Sequence, residues 1–228
     1  MNSSKNTILA VELLGAAAAI ALPALSAIPL TAIAVREIIL DVYEKRTALA
    51  EQIAQNELQS LGGYERAAAD PEGYVAKAMR FYQAAMHGAA HANLRILARL
   101  VVGRDNQPFL PADEFLSYAP VLESLRFKEL ALIAEMVHQH KQRKTPPLDQ
   151  TNDWSAVSRK VVPQLFSDAD ELEATVTGLS RTGFVVSTTT WGGLTWKITP
   201  ILLALEDTVE FQFIVNDEIA RKAACAAA

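Results

Sequence analysis

The residue types in this 228-residue chain that could do chemistry are few, and they come in pairs. His87 and His91 stand four apart, a spacing that sets two imidazoles on one face of a helix and can chelate a transition metal. His138 and His140 flank Gln139, and Glu135 lies three residues before His138. Glu135-x-x-His138 has the form of half a di-metal site of a helical bundle, but neither His87 nor His91 has a carboxylate three or four residues before it to supply the other half. Polar positions near helix ends account for all four histidines, so the chain is expected to bind no metal and no other cofactor. Glu206, Asp207 and Glu210 cluster near the end without a partner base or nucleophile in sequence. There is no phosphate-binding glycine loop, nucleophile elbow or dinucleotide fingerprint, and the expectation is a protein that is not an enzyme.

The single cysteine, Cys225, rules out an intramolecular disulfide and a cysteine-based zinc cage, and suits a reducing compartment. Cys225-Ala226-Ala227-Ala228 has the form of a prenylation box, although its plain alanine setting reads as a frayed tail. A net charge of -5 offers no global attraction to nucleic acid or anionic lipid, so any such contact requires a local basic patch such as Lys141–Lys144.

The elements that must carry these residues begin with an uncharged run from Leu13 to Val35, interrupted only by Pro23 and Pro29. As one helix, about 23 residues would reach roughly 34 Å, enough to cross a hydrocarbon core. Three readings fit this run. Lys5 followed by Leu25-Ser26-Ala27 has the outline of a secretory signal, against which Glu12 and the continued apolar run count. Small residues at Gly15 and Ala19, and at Ala17 and Ala21, suit helix contact in lipid. Arg36, Lys45 and Arg46 after the run would hold the carboxyl-terminal bulk in the cytoplasm, at the inner face of the membrane. In the third reading the prolines bend the run into a buried hairpin with arms near Thr7–Leu22 and Leu30–Ser60.

Beyond Val35 the pattern is helical. Ile38, Ile39, Val42, Leu49 and Ile53 form a stripe that ends at Gly62-Gly63, with Asp41 and Lys45 as a favourable surface pair. Asp70-Pro71 opens a helix expected to run to Val102 and close at Gly103. Short helices broken by Pro120 are expected between Ala112 and Leu125, and an amphipathic helix over Phe127–Lys141. Thr145–Asp153, with Pro146-Pro147, reads as a linker. The expected organisation is an apolar hairpin or membrane segment over 1–35, a helical domain over 36–110 and a further domain over 111–228, with its softest boundary between Gly103 and Pro111.

In that last domain, Trp154–Phe166 reads as a helix. Ser167 is expected to cap the next, with Asp170 as its capping-box partner, and that helix runs to Thr182 before Gly183. Phe184–Thr190 is rich in β-branched residues, Gly192-Gly193 is a two-residue turn, and Leu194–Thr199 returns. A turn there pairs Trp191 with Leu194, Thr189 with Trp196 and Ser187 with Ile198. Thr199-Pro200 caps a final helix, Ile201 to about Val215. Helix, helix, helix, hairpin, helix is the order of a winged helix-turn-helix. Leu179-Ser180-Arg181-Thr182-Gly183-Phe184-Val185, followed by Trp196-Lys197-Ile198-Thr199-Pro200-Ile201-Leu202-Leu203, resembles the winged-helix regulators over about Phe127–Val215.

The resemblance implies DNA binding, yet the helix in the recognition position carries Asp168, Asp170, Glu171 and Glu173 against Arg181, and Lys197 is the wing's base. Phosphate contacts need cations, so this module is expected to bind a protein partner through Asp168, Asp170, Glu171, Glu173, Trp191 and Trp196. The whole order also resembles, without an anchoring motif, the bacterial abortive-infection-alpha proteins, which implies a helical, membrane-associated defence or immunity factor whose partner is a toxin or effector. The expected fold is mostly α, with a winged-helix-like carboxyl-terminal domain holding one β-hairpin. A soluble winged-helix regulator, its apolar hairpin buried in a homo-oligomer, and a histidine-dependent metalloprotein are the alternatives.

Overall fold

The computed structural model describes residues 11–12, 33–62, 64–104, 110–142, 151–190 and 193–227. The apolar stretch 13–32 with both prolines, Lys5, Gly63, residues 143–150, Trp191 and Gly192 lie outside them; of the expected Thr145–Asp153 linker, residues 151–153 instead open a helix. The described chain is mostly helical, with ten helices and one two-stranded antiparallel sheet. No described helix is long and apolar enough to cross a membrane. The chain forms two compact units that divide between Ser124 and Leu125.

The first unit contains α1 (Ile33–Leu61), α2 (Tyr64–Ala69), α3 (Pro71–His87), α4 (His91–Val102) and α5 (Ala112–Ser124). On α1 the buried stripe is Ala50, Ile53, Ala54, Glu57, Leu58 and Leu61, while Val42 and Leu49 are exposed. This stripe of large and small side chains faces α3 and α4. Asp70 accepts from the Gly73 N–H at 3.0 Å, and Pro71 opens α3 as expected.

The expected single helix to Val102 is instead broken at Gly88. This residue is left-handed, with φ 86°, and its N–H reaches the Ala85 carbonyl while that of Ala89 reaches Ala84. Glycine reaches that conformation without the penalty a Cβ imposes. Pro120, by contrast, does not divide α5: it lies on the exposed face, where water can satisfy the carbonyl that its missing N–H leaves free.

Asn93 of α4 donates to the carbonyls of Leu122 (2.6 Å) and Glu123 (3.1 Å), and Arg80 of α3 pairs with Glu123. These bonds hold α5 in the first unit. The division therefore falls after α5 and not in the 103–111 loop.

The second unit contains α6 (Phe127–Gln142), α7 (Thr151–Val161), α8 (Ala169–Ser180), β1 (Val185–Thr190), β2 (Gly193–Ile198), α9 (Pro200–Val209) and α10 (Phe211–Ala227). α7 ends five residues before the expected Phe166 because Pro163 lacks an N–H; the Val161 carbonyl instead takes the N–H groups of Gln164, Leu165 and Phe166. Helix α6 packs against α7, α8, α10 and β2, while β1 rests on α8.

The hairpin register differs from expectation. Thr190 pairs with Gly193, Thr189 with Leu194, Ser187 with Trp196 and Val185 with Ile198. The two glycines are split: Gly193, at φ 108°, is already the first residue of β2. The slip is of two residues, an even number, so every side chain keeps its expected face. Val185 and Trp196 are buried on one face, while Val186 and Lys197 pair on the other.

Thr199 accepts from Leu202 N–H and donates to the Gly183 carbonyl at 2.9 Å, tying the start of α9 to the strand entry. α9 then stops at Val209 instead of continuing to Val215, because Glu210 is left-handed (φ 54°), and α10 begins at once.

Candidate functional site

The candidate site is the surface made by α8 and the hairpin. Its amino-terminal edge is shifted by one residue from expectation. Asp168, not Ser167, caps α8, accepting from Glu171 N–H at 2.8 Å. Glu171 in turn accepts from Ser167 N–H and Oγ, both at 2.9 Å, and pairs with Lys128 of α6. The Lys128 ammonium, then the two Ser167 donors, hold the Glu171 carboxyl down at about 2. Asp168 and Glu171 are thus committed to the start of the helix and to its attachment to α6.

Glu173 accepts from the Trp196 indole N–H at 3.4 Å, and Asp170 is exposed. Trp196 is only 5 % exposed, a core position rather than the contact surface expected of it. Trp191 lies outside the described residues. What α8 turns outward is Asp170, Glu173, Ala174, Thr177 and Ser180; the hairpin adds Leu194, 49 % exposed on the face that carries Trp196, while Val186 is exposed on the opposite face with Lys197.

Sequence reasoning missed the cations beside this surface. Arg126 and Lys128 come from the start of α6, and Arg181 from the end of α8. Buried Glu129 gathers Arg126 at 3.2 Å and Arg181 at 4.0 Å, and Lys128 meets Glu171. The alternation Arg126-Phe127-Lys128 was the available signal, but its meeting with residue 181 is a matter of tertiary packing. With two carboxylates among three cations, the patch is close to neutral.

The histidines do not form the expected array. The break at Gly88 leaves His87 on the last turn of α3 and His91 on the first of α4, so the spacing of four no longer means one helix face. His87 Nδ1 lies 3.4 Å from Glu123 Oε1. Glu135 is buried and occupied by Lys160 Nζ and Gln139 Nε2, each at 2.7 Å. Among the described residues no group of three or more His, Cys, Asp or Glu side chains is placed to hold a metal. Glu206 does have a partner base: it is buried, 3.0 Å from Lys141, and accepts from Phe211 N–H at 2.9 Å, which joins α6, α9 and α10. Cys225 is exposed on α10.

Compared with known proteins, the chain matches no family model, no curated protein and no solved structure.

Proposed function

We propose that the chain is a non-enzymatic interaction protein. In this reading the second unit is a winged-helix-like module that binds a protein partner, and the 13–35 run brings the chain to the inner face of a membrane. The order α6, α7, α8, hairpin, α9 supports the winged-helix reading. One observation carries the choice of partner: α8 turns Asp170 and Glu173 outward, and the hairpin face whose Trp196 is bonded to Glu173 carries the exposed apolar Leu194. A DNA backbone would meet carboxylates where it needs cations, whereas a protein with a basic and apolar surface would find complements to both. The setting implied by the abortive-infection resemblance is bacterial defence, with a toxin or effector as the partner.

Fluorescence anisotropy with random duplex DNA tests the choice. The full chain is expected to bind more weakly than about 100 μM at physiological salt. Micromolar, strongly salt-dependent binding that disappears in Lys197→Glu would overturn this reading in favour of a transcriptional regulator. Co-flotation with phosphatidylcholine vesicles, lost when residues 1–32 are deleted, is the expected membrane result; recovery of the intact chain free of vesicles would refute that part.

A further inference from the structure

A second feature of the same unit is independent of the partner surface. Between α6, α7 and the outer edge of β2 lies a half-open cleft of about 290 Å³. Trp154 and Val157 of α7 and Trp196 and Ile198 of β2 supply apolar lining, and His140 and Lys197 supply nitrogen. The volume is at the low end for small-molecule pockets, which suits a ligand of one or two rings. Two indole side chains among the lining residues favour a flat, aromatic body.

The charge pattern fixes the other end of the ligand. Among the described residues no acid lines this cleft. Among them Lys197 makes no ion pair, and its cross-strand neighbour is the apolar Val186. An ammonium at the rim of an apolar cleft, with no acid in its lining, is complementary to a single negative charge on an otherwise apolar molecule.

We propose that this cleft is a binding site for a small aromatic monocarboxylate, its ring against Trp154 and Val186 and its carboxylate on Lys197, which shares a strand face with Val186. Binding would pin β2 to α6 and α7, so a metabolite of this class would set the rigidity of the hairpin.

The test uses the full chain with naphthalene-2-carboxylate and its neutral isostere naphthalene-2-carboxamide, followed by calorimetry and by the indole N–H resonances of the three tryptophans. The carboxylate is expected to saturate, to shift the Trp154 indole signal, and to bind at least about tenfold more tightly than the amide. Lys197→Met, at an exposed position, is expected to weaken the carboxylate by about tenfold and leave the amide unchanged, with an unaltered circular dichroism spectrum. Equal affinity for carboxylate and amide, no effect of Lys197→Met, or no saturation by about 10 mM would each overturn the proposal. None of these outcomes bears on whether the α8 surface binds protein or DNA.

Discussion

The two units handle buried charge in opposite ways. In the first, both partners are inside: Glu57 receives Arg95 Nε at 2.7 Å and Arg99 Nε at 2.8 Å, and the Arg99 side chain is 2 % exposed. In the second, the acids are buried but their bases are not. Glu129, Glu135, Glu206 and Glu218 are all buried, and Arg126, Lys160, Lys141 and Arg221 hold them from positions still roughly half or more exposed. The cations of the second unit retain much of their hydration; Lys222, half-exposed, sets its ammonium over the Phe127 ring at 3.9 Å as a cation–π contact. Those of the first unit have given hydration up. A fully enclosed ion pair adds little net stability but is costly to leave half-made. A half-exposed pair works as a tether between elements, and losing one side lets the other return to water.

The largest effect that would test this contrast is therefore in the first unit. Glu57→Ala should destabilise by about 3–5 kcal/mol, because two guanidinium groups lose their buried acceptor. Chemical denaturation would show it, and a loss below about 1 kcal/mol would mean that the charges are hydrated after all.

The matching change in the second unit, Glu206→Ala, should cost less, about 1–3 kcal/mol. Lys141 simply rehydrates, and the main loss is the acceptor for Phe211 N–H. If the two substitutions cost the same, the contrast between enclosed and tethered charge fails.

Next come the chain breaks, which differ in the same spirit. The first unit uses a glycine at φ 86°, the second a glutamate at φ 54°. Gly88→Ala should cost about 1–2 kcal/mol, since a Cβ there is strained and would lie 3.1 Å from Arg46 Nη2. Glu210→Gly should move stability by less than about 1 kcal/mol, relief of strain being offset by unfolded-state entropy. Thermal melts of both variants would order them.

The smallest effect is acid sensitivity. Glu171 is depressed from 4.5 to about 2, so its contribution is complete above about 4.5 and is lost as pH falls toward 2. Because this carboxylate is exposed, the loss should be modest and should shrink in added salt. Glu171→Gln should flatten the unfolding midpoint over that pH window; an unchanged profile would show that the Lys128 contact contributes nothing.

Local signals were legible in the sequence where a single residue decides the backbone. Asp70-Pro71, Gly103 and Thr199-Pro200 mark real helix ends. What was not legible depended on where neighbours lie. The stripe on α1 holds Ile53 but not Val42 or Leu49, which are exposed; Ala50, Ala54, Leu58 and Leu61 complete the buried face. Gly88 was passed over because helices tolerate isolated glycines, and Pro120 was given too much weight because its exposure is a tertiary fact. That Asp168 and Glu171 serve as cap and tether could not be read without Lys128, more than forty residues upstream.

The packing of α10 on α6 has a consequence in time as well as space. The first and last helices of the second unit are neighbours, and Lys222 reaches Phe127 across nearly the whole length of that unit. During synthesis the part of α6 that α10 covers must wait until residues beyond 211 have left the ribosome. Such long-range closure slows folding. The interval in which that part is uncovered is the one in which a chaperone would find this protein.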